Sequence, residues 1–199
     1  MHREQEMKPQ YTRLYRIWHW LMAFSVIGLL FTVLLRKTVL SWHTNAALIQ
    51  SKLADTGTEI TAETAKMIAK AIRAPMWEWH YIFGLVLGIS IVIRIYMVLT
   101  KQAKFPLIAL LQAPKEEKLQ RALYLFLCFA LMVMALTGAT LYYHEALGFT
   151  DKGVEWVKEL HENTMYGVLG LVVLHLGGVF RHEVTTKEPI VSKMIHGDE

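Results

Sequence analysis

Long stretches without charge alternate with short polar segments along this chain, and that alternation sets the predicted elements. Four stretches are long and apolar enough to read as transmembrane helices, at about residues 17–35, 77–99, 122–143 and 161–180. The first and third carry no formal charge, and the only charge deep within the second is Arg94. Between the first two spans lies a polar segment, 36–76, with its own helical patterning. Residues 45–54 and 62–73 both read as helices, separated by the turn DTG at 55–57. Thr61 is placed to cap the second of these, with Glu63 in its first turn and Pro75 closing it off. Ala65, Ile68, Ala69 and Ile72 form one apolar stripe on it. Such a helix either lies on the membrane surface or serves as a lid or docking face. The pattern predicts an all-α protein: one domain over 1–199, an integral membrane four-helix bundle with a helical periplasmic loop at 36–76.

Composition supports the membrane class. Of 199 residues, 54% are hydrophobic, above the ordinary range for a soluble domain. The net charge of +4 gathers near the ends of apolar runs, which suits lipid headgroups. No basic stripe or reading motif points to nucleic acid. The single cysteine, Cys128, sits inside an apolar run and excludes a disulfide framework. The first apolar run has no cleavage site after it and is expected to stay as an anchor. Outside the spans, Lys and Arg number twelve on the side of the termini (Arg3, Lys8, Arg13 and Arg16; five in the loop between spans two and three; Arg181, Lys187 and Lys193) against eight on the other. The short flanks carry this bias, so both termini are expected in the cytoplasm.

Ionisable side chains within apolar spans are costly and point to function. His19 lies near the cytoplasmic start of span one and His80 near the periplasmic start of span two. His161 opens span four and His175 lies near its far end. The fourteen residues from His161 to His175 put the two rings about 40° apart on one helix face and about 21 Å apart along the axis. The four histidines therefore sort by depth, His19 with His175 inside and His80 with His161 outside. Two imidazoles facing each other between helices suit a b-type haem, whose iron takes one nitrogen from each side. Zinc is the competing metal, but it wants further ligands at each depth. Gly84 and Gly88 follow His80 at one and two turns, and Gly167 and Gly170 lie between His161 and His175; they allow either a flat ring or a neighbouring helix to approach. Arg94 stands fourteen residues beyond His80, at the depth of the inner pair. It reads as a partner for a propionate, as a contact for a quinone oxygen, or as a side chain reaching for the headgroups. His182 is an alternative to His175, and His144 a spare near the outer pair. His2, His43 and His196 read as solvated.

The segments RLYRIWHWL around His19, EWHYIFGLVLGISIVIR from Glu78 to Arg94 and HENTMYGVLGLVVLH from His161 to His175 resemble the bacterial cytochrome b561 family. So does the tail RHEVTTKEPIVSKMIHG. That family includes the b-type subunits of membrane-bound nickel–iron hydrogenases. The resemblance extends from Tyr11 onward and departs at the 36–76 loop, which is longer than in compact members. It implies two haem b groups, with His19, His80, His161 and His175 as axial ligands, in a bacterial inner (plasma) membrane. The expected function is electron transfer across the bilayer between quinone or quinol and a redox protein partner, with quinol or quinone oxidoreduction as any enzymatic activity. One alternative is an anchor subunit of a hydrogenase or dehydrogenase complex. Another, of a different class, is a haem-free transporter with buried histidines.

Overall fold

The structure, a computed structural model, describes residues 12–187 and 189–197, and the side chains of all of these except Glu116. Arg3, Lys8 and His2 lie outside the described residues. Among the described residues every regular element is helical: α1 (Arg13–Lys37), α2 (Trp42–Ala54), α3 (Ala62–Leu99), α4 (Pro106–Leu111), α5 (Lys118–Tyr143), α6 (Glu155–Thr186) and α7 (Ile190–His196), with one 3-10 turn at Lys115–Glu117. Four of these, α1, α3, α5 and α6, are long and apolar enough to cross a membrane. The all-α membrane class read from the apolar pattern is the observed one.

The ends of the helices follow local rules. Thr61 accepts the Thr64 amide at 3.1 Å and starts α3, with Glu63 favourably placed at the positive end of the helix dipole. After α2, Thr58 N–H bonds Leu53 O and Gly57 N–H bonds Ala54 O, the paired closure of a Schellman turn. Gly57 takes the positive φ of 80° that this closure needs, which is why the DTG turn carries glycine there.

Pro75 does not close a helix. The second loop helix and span two are one continuous helix, α3, with Pro75 inside it. A proline in a helix interior removes one N–H and crowds one carbonyl, and the long apolar run that follows outweighs that local cost. At 38 residues α3 is about 57 Å long, nearly twice the hydrocarbon thickness of a bilayer. Its polar first turns therefore stand clear of the apolar layer. The predicted stripe on them is only half used: Ala65 and Ala69 are buried while Ile68 and Ile72 are exposed. Likewise α6 begins six residues before His161, which therefore sits inside the helix instead of opening it.

The chain divides into two compact units, Met22–Gly88 and the remainder on either side of it. In the Met22–Gly88 unit, α1 and α3 run antiparallel, as successive contacts show. Gly28 meets Phe83, Thr32 meets His80, and the Arg36 guanidinium lies 5.4 Å from the Trp77 ring centroid. A Cβ on Gly28 would stand 2.7 Å from the Phe83 ring, so glycine is what lets that ring lie against α1. In the other unit α5 packs along α6. There Trp18, 4% exposed, donates its indole N–H to Ser90 O at 2.8 Å and ties the start of α1 to the end of α3. The short α7 docks on the same stretch of α1, where Trp20 donates to Met194 O at 3.1 Å and Arg16 to Ile195 O at 3.0 Å.

Gly28→Ala is expected to destabilise the protein by about 1–3 kcal/mol through overpacking. Adding Phe83→Leu should return most of that loss, measured by thermal unfolding in detergent.

Candidate functional site

The site is built where polar side chains interrupt apolar helix faces. His19 on α1 and His175 on α6 bring their ring centroids to 6.4 Å, with the planes inclined at 52°. An imidazole centroid lies about 3.2 Å from a metal that its nitrogen ligates at about 2.0 Å, so two imidazoles sharing one ion stand about 6.4 Å apart. Each ring turns freely about its own metal–nitrogen bond, and the inclination is no obstacle. His19 Nδ1 is also buried with no hydrogen-bond partner among the described residues. The donor set and spacing fit a haem iron held between these two rings.

Arg94, in the same unit, packs among aromatic side chains. Its guanidinium carbon lies 5.1 Å from the Trp18 ring centroid and 5.9 Å from those of Tyr15 and Tyr124. Its Nη2 donates weakly to Lys104 O at 3.4 Å, while Nε and Nη1 are buried with no acceptor among the described residues. Two buried, unmatched donors on one guanidinium suit a carboxylate such as a haem propionate.

The other two histidines are each held by a threonine. In the Met22–Gly88 unit, Thr32 Oγ1 lies 2.7 Å from His80 Nδ1, and the same hydroxyl donates to Leu29 O at 2.7 Å. In the other unit, Thr137 Oγ1 lies 2.7 Å from His161 Nδ1 and donates to Val133 O at 2.7 Å. A hydroxyl has one hydrogen. With that hydrogen on the helix carbonyl, the oxygen accepts from the imidazole, which puts the proton on Nδ1 and the lone pair on Nε2. That is the tautomer a metal ligand needs. Thr32 and Thr137 are 3% and 8% exposed. Gly138 leaves room for the His161 ring, whose Cε1 would stand 3.3 Å from a Cβ there.

Gly84 and Gly88 do not serve a close helix approach. A Cβ at either, or at Gly167 or Gly170, would meet no atom within 4 Å, so these faces stay open to a flat group. His144 is no spare ligand. Its Nδ1 faces Leu141 O at 2.9 Å and its Nε2 faces Asp151 Oδ1 at 3.1 Å. The Leu141 carbonyl and the Asp151 carboxylate raise its pKa above the ordinary histidine value. His43 stacks on Trp42 with centroids 3.5 Å apart, and His196 Nδ1 lies 3.5 Å from Ser192 Oγ. Among the described residues no group of three or more His, Cys, Asp or Glu gathers for a metal. Thr32, Thr137 and Gly138 are not among the residues predicted from sequence. The signal was a hydroxyl inside an otherwise apolar run, one in LLFTVLL and two in MALTGAT, visible only when neutral polar residues are weighed along with ionisable ones.

No curated protein and no solved structure matches the chain. The family model described as prokaryotic cytochrome b561 matches residues 10–197, nearly the whole chain. With its four membrane-length helices, the chain is a multi-pass membrane protein and belongs to the prokaryotic cytochrome b561 family, whose members are b-type electron-transfer cytochromes.

Proposed function

We propose that the protein carries electrons across the bacterial inner membrane between quinone or quinol and a redox protein. Two haem b groups serve this, one ligated by His19 and His175 and the other by His80 and His161. The observation that carries the reading is the 6.4 Å separation of the His19 and His175 rings, the spacing of two imidazoles sharing one ion. Family membership supports electron transfer over the haem-free transporter. Both termini lie in the cytoplasm on this reading, supported by the excess of basic residues on that side.

A b haem with two imidazole ligands supplies one-electron exchange and leaves no open position for oxygen or substrate. The chain's own groups do the rest. Nε2 of His80 and of His161 is kept unprotonated by the threonine at Nδ1. Arg94 offers two donors to an anionic edge and a positive charge that favours the reduced state of a haem near it. Trp18 and Tyr15 stack against that guanidinium and fix it. Trp20 and Arg16 hold α7 against α1 next to His19, restricting water on that flank. Apolar helix faces exclude water elsewhere, so charge moves as electrons and not as solvated ions. An anchor role in a hydrogenase or dehydrogenase complex is the second reading. It is favoured by α2, which buries none of its residues, and by Trp42, set between Lys66 and Lys70 at 5.7 and 5.8 Å. Purification under mild conditions that retains an iron–sulfur or flavin subunit would select it.

Pyridine haemochrome analysis should give two b haems per chain, and His19→Ala or His175→Ala should remove one. A count of zero in the unaltered protein overturns the reading. The dithionite-reduced protein should show no spectral change under carbon monoxide. Arg94→Leu should lower the midpoint of one haem by about 59 mV, a tenfold shift for one electron, read by optical redox titration.

A further inference from the structure

The geometry points to Thr32 and Thr137 as positioning residues that fix the ligating tautomer of His80 and His161 and lower the reduction potential of the haem those rings serve. The inference rests on the ligand assignment above and goes beyond it, because it distinguishes the two haems chemically. Each threonine is a matched device in its own unit. A carbonyl of its own helix, Leu29 O or Val133 O, lies 2.7 Å from the hydroxyl and can take its single hydrogen, and the oxygen then accepts from the imidazole. Each accepts at 2.7 Å from Nδ1, a short hydrogen bond for this pair of groups. Each is buried, so water does not compete for the position. A hydroxyl able to donate would equally tolerate the other tautomer, with the lone pair on Nδ1. The bond to the helix carbonyl removes that choice.

The consequence is electronic. An imidazole whose N–H is held by a strong acceptor gains imidazolate character and gives more electron density to the iron, which favours the ferric state. Among the described residues His19 has no such support, since none of them partners its buried Nδ1. The supported pair therefore serves the haem of lower potential, and the haem at His19 and His175 is the one that these threonines leave untouched.

Valine is nearly isosteric with threonine and has no hydroxyl; serine keeps the hydroxyl. In the full-length, haem-loaded protein, Thr32→Val and Thr137→Val should each raise the midpoint of one haem only, roughly tenfold in ferric-to-ferrous ratio or about 59 mV, with Thr32→Ser and Thr137→Ser near the original value. Loss of one haem in the valine variants, restored by serine, supports the same role, since an ungoverned tautomer binds iron less tightly. His80→Ala and His161→Ala are measured alongside. If they keep both haems, the ligand assignment fails and the inference fails with it. If they lose one haem while the valine variants leave both midpoints unmoved, the assignment stands and the inference alone is overturned. Loss of both haems that serine does not restore marks a role in folding only, and also overturns it.

Discussion

A polar atom inside a hydrocarbon layer must find its partner within the protein, because no water is there to supply one. That constraint organises the polar side chains of this chain. Trp18 spends its indole N–H on Ser90 O, and Trp20 spends its own on Met194 O. Thr32 and Thr137 use both capacities of the hydroxyl, one toward their own helix and one toward a histidine. Against this background the unsatisfied atoms are informative. His19 Nδ1, Arg16 Nε, and Nε and Nη1 of Arg94 belong to one neighbourhood around the start of α1. Unpaired buried donors cost about 1–3 kcal/mol each, and a group of them marks a place where something outside the polypeptide completes the accounting.

Shape is governed by a conflict between local and extended preferences in α3. Pro75 argues for a break, and the apolar residues from Trp77 onward argue for a helix that must begin with all its N–H groups matched. Starting the helix inside the apolar layer would leave four N–H groups without partners. Starting it at Thr61, in a polar stretch with a hydroxyl cap, places that unmatched end near water. One missing bond at Pro75 is the smaller loss. The same reasoning accounts for α6, whose first turn, with Glu155, is polar and whose histidine follows inside.

The spans, the cap at Thr61 and the turn at Gly57 were legible in the sequence, because each follows from composition or from a rule acting over a few residues. The continuity of α3 was not, since a proline read locally outranks a balance of end effects summed over 38 residues. The docking of α7 on α1 was not legible either: Arg16 and Ile195 are 179 positions apart and nothing local links them. Of the site, the histidines stood out because a charge in an apolar span demands a reason. The threonines did not, because a hydroxyl that bonds its own helix carbonyl satisfies itself and leaves no conflict to notice. Their role emerges only when the imidazole arrives at the same oxygen.

The interval along α6 explains why a single cofactor is not enough on the proposed reading. His161 and His175 stand about 21 Å apart along the helix, within an apolar layer about 30 Å thick. One haem fixed at either depth would leave most of that layer to be crossed through saturated side chains. Two haems divide it into shorter steps, and any difference between the two sites must come from the protein around them. Rigid helices cannot supply the difference by moving, and apolar faces cannot supply it by charge. What remains is the hydrogen bonding of the ligands and one buried cation. The chain places a threonine hydroxyl at His80 and another at His161, and a guanidinium against Trp18. On the proposed reading, an accepting hydroxyl favours the oxidised state of the iron its histidine ligates, and a cation favours the reduced state of a haem near it.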